Sequence, residues 1–244
     1  MYFPQACRYF RKLLIPQMDS EQQHLRDLQG KAFAAADSRD FERAVDLYDQ
    51  CLAIRLEEED KLSQSTLLNQ RAQANLNLSR FELAVDDSIA ALACLTEHDG
   101  EESIRNRRLA FLTAGQGFYG MRSFKKASEY VQAAEKIEPT EGSAGMLGCI
   151  QGRLAEETEG SYDFEKMLEE LIQNPMNREL DHASFISNTN IGITPNCGRG
   201  LFATKDFHMG DLVLCEKAFA VQFPAEILSD QFPDLSSKVV QLLK

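Results

Sequence analysis

Apolar residues recur at helical spacing through most of the chain up to about residue 174, and the stretch Gln70–Leu95 shows the pattern clearly. Ala72 and Leu76 share one face of a first short helix, which is predicted to end near Ser79. The apolar positions of a second helix are Phe81, Ala84, Val85, Ile89 and Leu92. Two helices this short cannot bury their apolar stripes alone, so the pattern predicts a hairpin that packs on neighbouring hairpins.

Two further copies of this pattern flank the first. The second helix of each copy carries the same aromatic–alanine pair, at Phe41-x-x-Ala44, Phe81-x-x-Ala84 and Phe124-x-x-Ala127. The three alanines lie 40 and 43 residues apart, and the polar connections at 57–66 and 97–103 can hold the variable length. The sequence therefore predicts about three stacked helical hairpins.

The third copy resembles the tetratricopeptide repeat family, whose period is ~34 residues. The family's small, aromatic, alanine and proline positions are occupied here by Gly115, Phe118, Ala127, Ala134 and Pro139. Copy one departs from the pattern. Either Ala32 and Ala35 stand where glycine and an aromatic are expected, or a two-residue insertion follows Gly30. The resemblance covers about residues 26–140, and the repeat domain as a whole is placed at residues 21–140.

In that family, function lies on the concave face lined by the first helix of each repeat. The corresponding groove positions are Gln29, Asn69, Gln73, Asn77, Gln116 and Tyr119. Side-chain amides can hydrogen-bond an extended backbone, so the resemblance implies a protein or peptide partner. Chaperone co-factors of this family clamp a terminal carboxylate with Lys, Arg and Asn. The aligned residues here are Gln29, Phe33, Gln70, Leu109 and Thr113, none of them cationic, which disfavours a chaperone adaptor.

From Thr140 onward the pattern predicts two more helices, one capped by Thr140 and one capped by Ser161 or Asp163. They are expected to shield the end of the repeat stack, as a terminal unit must. These capping helices and the start of a linker occupy residues 141–175.

After Asp181 the hydrophobic period changes from helical to two, which predicts a compact β element. Strands are expected at 185–186, 191–193, 201–204 and 212–215, with turns at 195–200 and 208–211. The fold class is therefore predicted to be mainly α, a tetratricopeptide-type helical-hairpin array followed by a small partial β element.

The stretch 197–219, CGRGLFATKDFHMGDLVLCEKAF, resembles the opening motif of SET-domain protein methyltransferases. Repeats, a helical linker and this motif together resemble the tetratricopeptide–SET proteins common in fungi. The resemblance implies that Gly198, Arg199 and Gly200 place backbone against the methionine portion of S-adenosylmethionine, since glycine permits close approach. It also implies methyl transfer to a lysine of a protein substrate.

SET catalysis requires an Asn-His-x-Cys segment and a tyrosine near the C-terminus. No histidine of this chain follows asparagine, and no tyrosine occurs after Tyr162. Residues 181–244 are thus expected to be an incomplete SET domain with no catalytic residues and no bound cofactor. Two hypotheses stay open: an interaction scaffold with a truncated, inactive SET fragment, or the front half of a protein-lysine methyltransferase whose catalytic half lies beyond Lys244.

Composition narrows the function classes. The 244 residues are 43% hydrophobic, enough for one or two domains with sizeable cores. A net charge of −12 disfavours nucleic acid or an anionic membrane as a partner. The six cysteines stand apart without a CxxC pair, which argues against a zinc site and against a disulfide framework. A cytoplasmic or nuclear location is expected.

The two ends of the chain carry their own patterns. Residues 1–20 are expected to form an N-terminal tail; the basic stretch Met1–Gln17 is also compatible with a mitochondrial presequence, although it lacks serine. Residues 234–244, DLSSKVVQLLK, predict a further amphipathic helix whose apolar side requires a covering surface.

Overall fold

A computed structural model of the chain describes residues 22–54, 61–95, 100–173 and 180–217. The predicted N-terminal tail and the predicted helix at 234–244 lie outside these ranges. The helices are α1 (22–37), α2 (Phe41–Ala53), α3 (Lys61–Asn77), α4 (Phe81–Ala93), α5 (Glu101–Gly120), α6 (Phe124–Ile137), α7 (Glu141–Glu159) and α8 (Phe164–Gln173). The strands are β1 (Thr189–Thr194) and β2 (Gly198–Ala203). The predicted fold class, mainly helical with a small β element, is confirmed.

Each of the three predicted hairpins closes through the same turn. The alanine shared by the three second helices (Ala44, Ala84 and Ala127) is called the repeat alanine. The residue five positions before it has a left-handed backbone, with φ of 63° at Arg39, 57° at Ser79 and 58° at Arg122. The following N–H donates to the carbonyl oxygen five residues earlier, at N···O distances of 2.8 to 2.9 Å. This is the Schellman arrangement that ends helices. Its recurrence at equivalent positions confirms the repeat spacing predicted from the alanines.

Small buried residues let the two helices of each hairpin approach closely. Twelve positions before the repeat alanine stand Ala32, Ala72 and Gly115, all buried. Three positions later the buried residues of copies one and three are Ala35 and Phe118. The same burial pattern in copies one and three supports the alignment without an insertion after Gly30.

Helix α5 lies between α4 and α6 and has no room for a side chain at two of its contact points. A Cβ atom on Gly115 would lie 2.5 Å from Cγ2 of Val131 on α6. A Cβ atom on Gly117 would lie 2.6 Å from Cγ2 of Val85 on α4. Glycine is therefore required at Gly115 for α5 to pack against α6 within the third repeat, and at Gly117 for the third repeat to pack against α4 of the second.

A half-buried arginine joins the first repeat to the second. Arg71 on α3 donates from Nε to Asp87 Oδ2 on α4 at 2.9 Å, and its Nη atoms contact Asp87 and Asp49 on α2. The hydrogen bond with Asp87, followed by that with Asp49, raises the pKa of Arg71 against the opposing effect of burial. The guanidinium of Arg71 is thus held among α2, α3 and α4.

The predicted helix starts after residue 140 are confirmed. Thr140 Oγ1 accepts a hydrogen bond from the N–H of Ser143, and Ser143 Oγ accepts one from the N–H of Thr140, both at 3.2 Å. Asp163 Oδ1 accepts from the N–H of Lys166 at 3.0 Å, so Asp163 caps α8. Such side-chain acceptors satisfy N–H groups that have no partner inside the helix.

The chain divides into two compact units, Met1–Gly152 and Arg153–Lys244, and the boundary lies within α7. In the second unit β1 and β2 are antiparallel, with Thr194 opposite Gly198. The turn between them is 195–197, shorter than the predicted 195–200, because Gly198 at φ 75° already begins β2. The strands predicted at 185–186 and 212–215 reduce to one bridge between Phe185 and Cys215.

A buried carboxylate organises the second unit. Glu156 on α7 is 4% exposed; its Oε1 contacts His182 Nδ1 at 2.7 Å and Arg153 Nη2 at 3.0 Å. Its Oε2 accepts a hydrogen bond from the N–H of Ala183 at 2.8 Å. The other ring nitrogen of His182 contacts Glu170 Oε2 on α8 at 3.1 Å. These contacts connect α7, α8 and the segment that leads to the sheet.

Tyr162 adds a second connection in this unit. Its hydroxyl donates to the carbonyl oxygen of Ala183 at 2.7 Å. Burial, together with the neighbouring Cys215, raises the pKa of Tyr162, so the hydroxyl keeps its proton at neutral pH. Among the described residues, no helix is both long and apolar enough to cross a membrane, and no group of His, Cys, Asp and Glu side chains is arranged to hold a metal ion.

Replacing Ser79 by glycine is expected to raise the free energy of unfolding by about 1 kcal/mol, because a left-handed backbone costs an L residue that much. Ser79→Ala keeps the Cβ atom and is the matched control, with no stabilisation expected. Urea denaturation of the full chain, followed by circular dichroism, measures both. Equal stability of the two variants would contradict the assignment of strain to this turn.

Glu156→Gln is expected to destabilise the second unit by about 3 kcal/mol, because one partner of a buried charged network is removed. Hydrogen exchange at the amide of Ala183 should then become faster, since this N–H loses its carboxylate acceptor. Glu165→Gln, at an exposed position of the first turn of α8, is the control and should stay within about 0.5 kcal/mol of the parent. Unchanged exchange at Ala183 in Glu156→Gln would argue against the network.

Candidate functional site

The first helices of successive hairpins, α1, α3 and α5, lie next to one another. Helix α3 packs on α5, whereas no comparable packing joins α2 to α4 or α4 to α6 in the described part of the chain. Side chains from α1 and α3 also share one core cluster. The first helices are therefore the more closely packed layer, and their exposed side chains form the candidate groove.

Three of the six predicted groove residues are exposed on these helices. Gln73 and Asn77 project from α3, and Gln116 projects from α5. Gln73 and Gln116 occupy the same position in their repeats, eleven residues before the repeat alanine. Asn77 donates from Nδ2 to the carbonyl oxygen of Gln73 at 2.8 Å, which fixes its amide along the helix. The structure therefore provides amide groups on two adjacent first helices.

Gln29 and Tyr119 are half-buried. The ring of Tyr119 meets the ring of Phe124 edge to face, with centroids 5.4 Å apart. This contact orients Tyr119 at the end of α5, next to the turn into α6.

Asn69 is fully buried between two first helices. Its Nδ2 donates to the carbonyl oxygen of Asn106 on α5 at 2.9 Å, and Asn106 Nδ2 donates to Thr66 Oγ1 on α3 at 2.7 Å. Asn69 therefore fixes the spacing of α3 and α5. The sequence predicts Asn69 in the groove because it aligns with a groove position of the family, and that prediction is wrong. The sequence does not reveal its hydrogen-bond partner, because Asn106 lies 37 residues away along the chain.

The Gly-Arg-Gly segment forms the first half of β2. Gly198 has a left-handed backbone, Gly200 lies opposite Gly192, and a Cβ atom on Gly192 would lie 2.9 Å from the ring of Phe202. Gly198 and Arg199 are exposed. Backbone at Gly198 has open space beside it, as close approach of a ligand requires, but the described residues supply this edge alone and do not enclose a cofactor.

No protein-family model matches the chain. A protein described as "Methyltransferase" from Gibberella zeae is 25% identical over 201 residues, which are 82% of this chain and 26% of that protein. The chain thus spans roughly a quarter of the length of this curated relative.

Several solved structures are similar to the helical part. The TPR domain of Arabidopsis OM64 is 18% identical and matches 53% of this chain and 96% of its own, with a TM-score of 0.45. The first TPR of Spaghetti (RPAP3), bound to the HSP90 peptide SRMEEVD, is 19% identical (55% and 94% covered, TM-score 0.46). The yeast Sti1 TPR2AB domain in complex with pHSP90 is 19% identical (63% and 57% covered, TM-score 0.48). The helical unit consists of helical hairpins that pack in series, as predicted from the sequence.

The residues aligned with the carboxylate-clamp positions are uncharged, and most of them are at least half-buried. Thr113 is buried, while Gln70 and Leu109 are half-buried. Phe33 on α1 is the exception, with 64% of its surface exposed. It occupies the same repeat position as Gln73 and Gln116, eleven residues before the repeat alanine. That shared spacing is the sequence signal that would have added Phe33 to the candidate groove.

Nearby cations are engaged elsewhere. Arg71 is held by Asp49 and Asp87, on the side of α3 that faces α2 and α4. Arg108 on α5 donates from Nε to the carbonyl oxygen of Glu138 at 3.2 Å and from Nη2 to Thr140 Oγ1 at 3.1 Å. Of the exposed candidate groove residues, Gln73, Asn77 and Gln116 are therefore polar and uncharged, and Phe33 is apolar.

Proposed function

We propose that the chain is a protein-interaction scaffold whose tetratricopeptide unit binds an extended segment of a partner protein on the face of its first helices. The observation that carries the proposal is the pair Gln73 and Gln116, exposed at equivalent positions of two adjacent first helices. A side-chain amide holds a donor and an acceptor, so each can bond one peptide group of an extended chain. An extended chain in turn needs such partners, because its own N–H and C=O groups are unpaired.

The clamp positions argue against a chaperone tail as the partner. A terminal carboxylate that leaves water needs a cationic or well-placed donor partner, because burial of an unpaired charge is costly. Gln70, Leu109 and Thr113 offer no positive charge. The net charge of −12 also repels an acidic peptide. The HSP90 peptide SRMEEVD is therefore the natural probe for this alternative, and we expect a Kd above 1 mM.

The groove can be tested with a display library of twelve-residue peptides selected on the full chain. Peptides selected on the parent should bind the double variant Gln73→Ala/Gln116→Ala at least tenfold more weakly, since two bonds of ~1 kcal/mol each are lost. Fluorescence anisotropy of the selected peptides measures the change in Kd.

The matched control is Gln50→Ala/Gln132→Ala, which removes two exposed amides from second helices. Its Kd for the same peptides should equal that of the parent. Equal weakening by both double variants, or no selection of any peptide, would overturn the proposed groove.

A second candidate function follows from the β unit. We infer that residues 181–244 are the N-terminal portion of a SET domain, and that the alternative to a scaffold is the front half of an S-adenosylmethionine-dependent protein-lysine methyltransferase. The motif at 197–219 supports this inference, as does the low-identity methyltransferase relative. Coding sequence downstream of Lys244 that supplies Asn-His-x-Cys and a late tyrosine would favour the enzyme over the scaffold. Either protein is expected in the cytoplasm or the nucleus.

For the 244-residue chain, S-adenosylmethionine at 1 mM is expected to leave the Tm unchanged. Backbone at Gly198–Gly200 contacts a ligand from one side, so its Kd should exceed 10 mM, and a ligand at one tenth of its Kd stabilises by under ~0.1 kcal/mol. Thermal denaturation with and without the cofactor measures this. Labelled S-adenosylmethionine with a cell lysate should transfer no label to protein above the blank, and transfer would refute the inactive assignment.

A further inference from the structure

The exposed position eleven residues before each repeat alanine forms a row across the three first helices. It holds Phe33 on α1, Gln73 on α3 and Gln116 on α5, all exposed. The residues one position earlier, Ala32 and Ala72 among them, are buried in the hairpin contacts. The row therefore follows the repeat geometry, and it changes in character from aromatic at one end to amide at the other.

Charge is sparse along this row. The next groove position, four residues later in each repeat, holds Asp37, Asn77 and Gly120. Asp37 is exposed, so the one ionised group among these two sets of positions is acidic. A ligand carboxylate placed along the row would meet no counter-charge at these positions and would be repelled by Asp37.

The length of the row sets the length of its ligand. Packed helices lie ~9 Å apart, so the two steps from α1 through α3 to α5 span ~18 Å. An extended chain rises ~3.3 Å per residue, which gives about five or six residues from Phe33 to Gln116. Gln73 and Gln116, one step apart, would then bond peptide groups about three residues apart.

Resting on the proposed function, we infer that this row binds an uncharged internal segment of five or six residues. The segment places one apolar side chain on the ring of Phe33 and its backbone peptide groups on Gln73 and Gln116. The aromatic contact sets the register, because Phe33 is the large apolar side chain of the row. The amides read backbone and not side chains, so the segment between tolerates varied uncharged residues.

The test uses four peptide sub-libraries displayed inside a flexible protein loop, so that no peptide has a free carboxylate at its end. All are nine residues long: uncharged with one Leu or Phe, uncharged without an apolar residue, acidic, and basic. The full chain should retain the first at least tenfold above the others at 150 mM salt. A three-residue version of the first sub-library should not be retained.

Variants locate the binding on the row. Phe33→Ser should abolish the preference for an apolar residue, while Gln73→Ala/Gln116→Ala should reduce retention of every uncharged peptide. Leu83→Ser is the matched control, because Leu83 is also an exposed apolar residue, 52% exposed, on the second helix α4. Phe33→Ser and Leu83→Ser should both keep the parent Tm, which shows that any loss of peptide retention is not due to unfolding.

The outcomes separate this inference from the proposed function. If acidic or basic peptides lead the selection, or if Phe33→Ser changes retention no more than Leu83→Ser, the ligand class is overturned and the groove stands. If no sub-library is retained by the parent, the proposed function fails as well.

Discussion

Close approach of helices at residues with little or no side chain is the constraint on which the repeat unit depends. Ala32, Ala72 and Gly115 occupy the same buried position in the three hairpins. Gly117 allows close contact between α5 and α4 because it has no side chain. A larger side chain at any of these positions would separate two helices whose apolar stripes have no other cover. Because the contact position is buried, the next residue along each first helix is directed out of the hairpin contact. The exposed row of the groove is thus a geometric consequence of the packing.

Polar residues play two different roles on the same helices, and burial decides between them. On α3, Asn69 fixes the contact with α5 and Arg71 holds α2 and α4 together, whereas Gln73 stays exposed. Buried polar groups that are hydrogen-bonded specify one arrangement of neighbouring helices more narrowly than apolar contacts do. The buried Asn69 on α3 fixes the distance between the first helices α3 and α5, and this distance in turn sets the spacing of the groove amides.

These roles also show what could be predicted from the sequence. Hairpins and caps were predictable because each depends on local rules: helical periodicity and an acceptor such as Thr140. The left-handed backbone of Ser79 was not predicted, because glycine is the residue that usually signals it. The burial of Asn69 depends on Asn106, 37 residues away, which no local pattern reveals. Likewise, the turn at 195–197 is shorter than its glycines suggested, because Gly198 pairs with Thr194 and joins β2. Long-range pairing, and not local propensity, accounts for both differences.

The second unit is stabilised differently, and this bears on which of the two hypotheses holds. Its helices and sheet segment meet at the hydrogen-bonded carboxylate of Glu156, while one face of the sheet carries exposed Ile191, Ile193 and Leu201. Exposure of an apolar face of this kind to water is unfavourable, so the face marks a surface that is covered in the assembled protein. In the methyltransferase hypothesis the cover comes from the same polypeptide, so the face and the edge at Gly198 become buried together. In the scaffold hypothesis the cover comes from another chain. Whether the face is covered by the same polypeptide or by a second one therefore separates the two, independently of any catalytic assay.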